Sequence, residues 1–279
     1  MAQTGQLTGA PRTAGPGFSP VTLLRVAILV TLVVVWESVA RSGILLREVV
    51  PSIVTIAWSL FDLLGNADLK VSLLGHDLSI PAFYWHLYVT VFEVAIGLMI
   101  GGIAGLSVGL LLGGNPFLSQ AFERFLYYLG PTPKIVFFPV MIMWFGVGVE
   151  SKIAMGTLSA FFPVVLSAAA AMRQIEGVLI RVGRSFRLST RQMVTKIYLP
   201  AMREPIVNGV RIGMGVALIG TLLAETKLSN KGVGFLIIDA YNAFDMPRMY
   251  AVLLVLFVIA IGANALVGRA SRQIGRAHV

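Results

Sequence analysis

The chain contains no cysteine, which excludes disulfides, thiolate metal sites and a cysteine nucleophile. Charge is scarce: 13% of the 279 residues are Asp, Glu, Lys or Arg, about half the fraction usual in a soluble domain. The three histidines, His76, His86 and His278, show no HExxH or related spacing, so no pattern for zinc is present. No GxxxxGK[ST] occurs. The chain therefore has no ordinary phosphate-cradling loop of its own. A catalytic reading would also need a paired nucleophile and base, or metal ligands, within the apolar runs. None is found, so an intramembrane enzyme is not supported.

Hydrophobic residues make up 57% of the chain. A soluble protein of this size could not keep so much apolar surface from water, whereas lipid allows apolar residues to face outward. The net charge of +9 would raise nucleic acid as a partner in a soluble protein. Here the basic residues gather in one loop and at the C-terminus, the distribution of a membrane protein, and no nucleic-acid partner is expected.

Residues 1–20, rich in Gly, Pro, Thr and Ala, read as a flexible tail. Six apolar runs follow, at about 21–40, 87–112, 133–148, 153–172, 206–224 and 249–268. Ser38-Val39-Ala40 loosely resembles a signal-peptide cleavage site, but Glu37 and the length of the first run favour a retained helix. The segment 52–64 has helical apolar spacing and is expected on the membrane surface, and Ala121 to Leu129 is amphipathic. The membrane region is thus about 21–270, with a short tail over 271–279. Six spans place both termini on one side. That side carries 13 Lys and Arg, seven of them in 173–204, against seven on the other, so it is read as cytoplasmic.

Gly97, Gly101, Gly105, Gly109 and Gly113 recur every four residues in the second span. That spacing makes one slowly turning face on which a neighbouring helix can approach closely. A moving contact during gating is the alternative use of the same stripe. The third span opens with Gly130-Pro131-Thr132-Pro133-Lys134 and reaches Pro139. Proline within a helix bends it, and freed carbonyls in a bilayer must face protein or water. The bend is either structural or the wall of a cavity.

The stretch 173–204 carries the most information. Arg181, Arg184, Arg187 and Arg191 recur at helical spacing, while Val178, Val182 and Phe186 line another face. Ser189-Thr190-Arg191-Gln192 has the form of a capping box. Two short amphipathic helices joined at about Leu188 are predicted, the second ending at Leu199-Pro200 because the residue before proline resists the α region. Its basic face suits either anionic lipid or a docked cytosolic protein.

Arg184-Ser185 … Ser189 … Gln192 … Lys196-Ile197-Tyr198-Leu199-Pro200-Ala201 resembles the EAA loop in permease subunits of binding-protein-dependent ABC importers. Pro133-Lys134-Ile135 through Pro139, Trp144-Phe145-Gly146-Val147-Gly148 and Ser151-Lys152 are similar to that family's nitrate, sulfonate and taurine branch. So are Trp36-Glu37, Gly209-Val210-Arg211, Ala224-Glu225, and Gly232-Val233-Gly234 with Phe244-Asp245-Met246-Pro247-Arg248. The resemblance implies an all-α, type I importer permease in a bacterial inner membrane, carrying a small organic or inorganic anion such as a sulfonate, taurine or nitrate. It implies a second permease subunit, cytosolic ATPase subunits that use the ATP, a periplasmic substrate-binding protein, and no cofactor on this chain. Arg181, Arg184, Ser185, Phe186, Arg187, Ser189, Gln192, Leu199 and Pro200 form the ATPase-coupling loop on this reading. Glu93, Pro133, Pro139, Arg211 and Glu225 are candidates for the translocation path. Arg181 and Arg187 stand where the family has glutamate and glycine, and Glu93 where many relatives have arginine. A heterodimer whose partner keeps the standard loop is one way to accommodate the first two. The competing class is a secondary transporter or channel not driven by ATP, but no inverted repeat supports it. By helix rise, Glu93 and Arg211 lie at different depths and are not expected to pair.

Overall fold

The computed structural model describes residues 20–43, 49–66, 69–73, 76–80 and 82–276. The expected tail falls outside them up to residue 19, as do 277–279. The described chain divides into two compact units, one up to Val54 and one from Thr55 onward.

In the first unit, α1 (Pro20–Ser42) is apolar along its length and almost wholly exposed. A helix that is hydrophobic all round belongs in lipid. Its end is tied down by polar contacts. Trp36 Nε1 donates to Pro51 O at 3.1 Å, and Glu37 accepts the Ile53 N–H at 3.1 Å while pairing with Arg41 at 2.6 Å.

The second unit begins with α2 (Ile53–Gly65, its first two residues lying in the first unit), followed by an antiparallel hairpin, β1 (Leu69–Leu73) and β2 (His76–Ile80), paired Leu69 to Ile80. The hairpin was not legible from the sequence. Then come α3 (Ala82–Gly114), α4 (Pro116–Leu129), a 3₁₀ turn (Lys134–Phe137) leading into α5 (Phe138–Phe145), and α6 (Val149–Arg173). The loop holds α7 (Gly177–Ser185), α8 (Thr190–Met193), a π turn (Val194–Tyr198) and α9 (Leu199–Ala201). The chain closes with α10 (Arg203–Glu225), α11 (Val233–Asn242) and α12 (Met246–Arg276). Residues 271–276 therefore continue the last helix.

Five described helices are long and apolar enough to cross a membrane, and six spans result if α4 and Lys134–Phe145 count as one. That pair is bent by 96°. The bend falls at Gly130–Pro133, and Pro139 sits in the first turn of α5, where its missing N–H costs no helical bond. Lys134 closes the break. Its ammonium donates to the carbonyls of Leu129 at 3.1 Å, Thr132 at 2.8 Å and Gly130, and lies 4.8 Å from the Phe162 ring centroid. Carbonyls freed in lipid need such a donor.

Helix α6 is the centre of the bundle, packed between α3 and α10. Met155, Ala160, Val165 and Ala168 on it are fully enclosed. The contact with α3 depends on the glycine stripe. A Cβ on Gly101 would stand 2.5 Å from Thr157 O, and one on Gly105 would stand 2.8 Å from Phe161 O. Both obstacles are backbone of α6, so no side chain can yield. Without a hydrophobic drive in lipid, this approach is what brings dispersion contacts to bear.

Candidate functional site

Two places in the fold concentrate chemistry. The first is the loop between α6 and α10. Helix α7 ends in a Schellman turn: Leu188 N–H donates to Gly183 O at 3.1 Å, and Arg187 N–H donates to Arg184 O at 2.9 Å. Arg187 takes φ +51°, the left-handed conformation that glycine adopts freely and an L-residue adopts at about 1 kcal/mol or more. The turn is therefore kept although its glycine is replaced. This also takes Arg187 out of the helical series, so Arg181 and Arg184 lie on α7 and Arg191 on α8.

The capping box closes as the sequence foretold. Ser189 Oγ accepts the Gln192 N–H at 3.4 Å, and Gln192 Oε1 accepts the Ser189 N–H at 2.9 Å. Gly183 is buried against Met193, which holds the two short helices together. Ser185 Oγ donates back to Arg181 O at 3.0 Å within α7.

The expected stop at Leu199-Pro200 is corrected. Leu199 has φ −60° and ψ −45°, and Pro200 lies in the first turn of α9. The wider π turn before it gives the proline ring room and requires no N–H from residue 200. The break comes at Met202 (φ −96°, ψ 6°), which is fully buried, and the chain passes directly into α10. The loop is thus a nearly continuous helical element attached to two spans. Its outer surface is open: Phe186, at the joint, is 76% exposed, and Val178 and Val182 are exposed beside it. Among the described residues, none of Arg181, Arg184, Arg187 and Arg191 belongs to an ion pair.

The second place is a buried polar cluster at the opposite end of α6. Glu225, the last residue of α10, accepts from Thr90 Oγ1 at 2.7 Å and from the Gly234 N–H at 2.7 Å. Thr90 Oγ1 accepts the Val233 N–H at 2.8 Å, and His86 Nδ1 accepts the Gly232 N–H at 3.0 Å. Gly232 has φ +98° and abuts the Glu225 carboxylate so closely that a Cβ could not be placed there. The Glu93 carboxyl adjoins that of Glu225, with Lys152 near both. Glu93 Oε2 has no hydrogen-bond partner among the described residues, and Lys152 donates to Val147 O. The arrangement ties α3, α6, α10 and the start of α11 together. Hydrogen bonds in a dry environment are strong, and a buried polar network left half-satisfied is costly.

The structure thus brings Glu93 and Glu225 together, at 1% and 0% exposure, inside this chain. Pro133 and Pro139 are exposed on the bent span. Arg211 lies 14 residues before Glu225 on α10, about 21 Å along the axis, and donates through Nε to Asn264 Oδ1 at 2.5 Å. Glu93 and Arg211 accordingly do not pair. Thr90, His86, Lys134 and Lys152 were not among the site candidates of the sequence reading. The available signal was general: polar groups within spans need partners, and four of them lacked one in the linear pattern.

The family model for the binding-protein-dependent transport system inner membrane component matches residues 95–276. The chain belongs to this family. Curated relatives agree. An aliphatic sulfonates transport permease protein, SsuC of Bacillus subtilis, is 27% identical over 228 residues, covering 82% of this chain and 78% of its own length. The taurine transport system permease protein TauC of Escherichia coli is 26% identical over 248 residues, covering 87% and 86%. Among solved structures, a chain of the inward-facing MetNI methionine ABC transporter superposes with a TM-score of 0.61 at 21% identity, covering 72% of this chain and 99% of that one. At that identity the likeness concerns the fold, which is the all-α, polytopic type I permease architecture. As the membrane component of a transport system the chain is a conduit, and the competing reading as a secondary transporter or channel finds no support among these relatives.

Proposed function

We propose that this chain is the permease subunit of an ATP-driven importer in a bacterial inner membrane. It forms the translocation path with a second permease subunit, identical or related, for a small anion of the sulfonate, taurine or nitrate class. A periplasmic binding protein delivers the solute, and both chain termini are cytoplasmic. The chain does not hydrolyse ATP. Cytosolic ATPase subunits do, and they dock on the loop from Gly177 to Ala201.

The observation that carries this reading is the build of the loop. It is helical and capped, its turn is held by Gly183 against Met193, and it runs through the buried Met202 into α10. A push on it is therefore transmitted to two spans instead of being lost in a slack connector. Its exposed Phe186, Val178 and Val182 can fill an apolar groove, and its unpaired arginines can meet carboxylates at the rim. Interface energy concentrates in buried anchors more than in rim charges. Phe186→Ala is therefore expected to reduce co-purification of the ATPase subunit more than Arg191→Ala does. A lipid-facing loop predicts the reverse, with loss tracking the number of arginines removed. Full ATPase binding and full uptake in Phe186→Ala would remove the docking role from this surface.

For the path itself, the bent span with Pro133 and Pro139 and the polar positions Glu93, Arg211 and Glu225 remain the proposed elements. Glu93 and Glu225 are reached only if α3, α6 and α10 part at that end, so their part in this reading is in a gate.

A further inference from the structure

Arg211 poses a problem that neither the fold nor the loop solves. It lies eight residues into α10, about 12 Å along the axis from Arg203, in a helix long and apolar enough to span lipid. Among the described residues it forms no ion pair. An unpaired cation at this depth is costly, and such residues in spans face partners or polar cavities. Its surroundings are a groove of about 250 Å³ between α10 and α12, bordered by Asn208, Arg211, Asn264, Ala265, Gly268 and Glu204.

The groove is arranged around the guanidinium. Nε is held by Asn264 Oδ1 at 2.5 Å, and among the described residues Nη1 and Nη2 have no partner. Those donors lie beside Gly268, where even an added Cβ would be 3.9 Å from Cζ and Nη1, so position 268 leaves them uncovered. Asn208, three residues earlier on α10, shares this face and adds an amide donor. Side chains on a helix lean toward its N-terminus. The guanidinium is thereby directed toward the end of the bundle that carries the α7–α9 loop, where a polar headgroup layer or solvent is within reach. Glu204 is the one carboxylate on the border, two helical turns nearer that end, and it makes no ion pair with Arg211.

We propose that Arg211, with Asn208 and Asn264, forms a binding site for an oxyanion, a phosphate or sulfonate group, in the groove between α10 and α12. A fixed guanidinium with a free two-nitrogen edge matches two oxygens of such a group, which a lysine would not. The oxyanion has two possible sources, the phosphate of an anionic lipid or a soluble anion passing this end of the protein. The lipid source is independent of the proposed permease role, whereas the soluble source rests on it, since Arg211 is also placed on the translocation path.

The test uses the full chain in nanodiscs, with Arg211→Gln, Arg211→Lys, Asn264→Ala and, as a control on exposed α4, Arg124→Gln. Native mass spectrometry reads lipid retention after reconstitution in phosphatidylcholine mixed with phosphatidylglycerol. Thermal unfolding in pure phosphatidylcholine reads stabilisation by sodium sulfate against sodium chloride at equal ionic strength. A lipid source predicts preferential retention of phosphatidylglycerol, weakened about tenfold or more in Arg211→Gln, the loss of a charge-assisted pair, with no effect of sulfate. A soluble source predicts a sulfate-dependent stabilisation that Arg211→Gln abolishes. Either supports the site, provided Arg124→Gln behaves as the wild type. If Arg211→Gln does not fold, the other two variants decide: Arg211→Lys keeps the charge but loses the two-nitrogen edge, Asn264→Ala removes the group that holds Nε, and both should bind more weakly than the wild type. Wild-type binding of both anions by those variants, or by Arg211→Gln, overturns the proposal.

Discussion

Adjacent glycines in α3 offer a measurement in which one helix supplies its own control. Gly101 faces α6, where an added Cβ would meet Thr157 O at 2.5 Å and the Ala160 Cβ at 3.0 Å. Gly102, the next residue, has nothing within 4 Å of the same position. A carbon sits about 3.3 Å or more from a carbonyl oxygen, so Gly101→Ala must move α3 away from α6 by about 0.8 Å. A radial gap of that size forfeits a quarter to a half of each van der Waals well, roughly 0.05–0.1 kcal/mol per atom pair. Over the roughly 20 to 30 pairs near the contact, the loss is about 1–3 kcal/mol, the usual range for overpacking. Gly102→Ala carries none of this and keeps the propensity gain of alanine over glycine, up to about 1 kcal/mol. That gain is common to both variants and cancels in their difference. Thermal unfolding of the purified chain in one detergent should therefore place Gly101→Ala below Gly102→Ala by about 1–3 kcal/mol. Equal stability of the two would mean that the close approach of α3 and α6 does not hold the bundle together.

Lys134→Met should destabilise the bend between α4 and α5, because the Leu129, Gly130 and Thr132 carbonyls lose their donor. Unsatisfied buried groups cost about 1–3 kcal/mol each, so a fall in melting temperature is expected, with Lys134→Arg recovering most of it. Arg187→Gly relieves the positive φ at the loop joint and is expected to slow amide hydrogen exchange across 183–190, by a stabilisation of about 1 kcal/mol.

Much of the architecture was legible because its signals are local. Five of the six apolar runs, a four-residue glycine spacing and a Ser189-to-Gln192 capping box each lie within a few turns of chain and have a counterpart in the fold, whereas the run at 133–148 is helical only over Lys134–Phe145 and reaches the length of a span only with α4 across the bend. What was not legible depends on distant partners. Thr90 and Glu225 are 135 residues apart in sequence, and their hydrogen bond exists only because α3 and α10 flank α6. Lys134 stood in the sequence only as part of the Pro133-Lys134-Ile135 stretch, since nothing in its sequence neighbours shows that three carbonyls would converge on it. The expected stop at Pro200 failed for a different reason: the local rule assumed an ordinary α turn before the proline, and the chain supplies a π turn.

Transport driven through the loop is tested most directly by uptake into proteoliposomes. These hold this chain with its partner permease and the ATPase subunits, with the binding protein and a labelled sulfonate supplied on the opposite face from the ATP. Uptake that requires ATP and every component, and that collapses in Phe186→Ala while the chain remains folded, is the expected result. Uptake by the permease subunits alone, driven by an ion gradient without ATP, would contradict it.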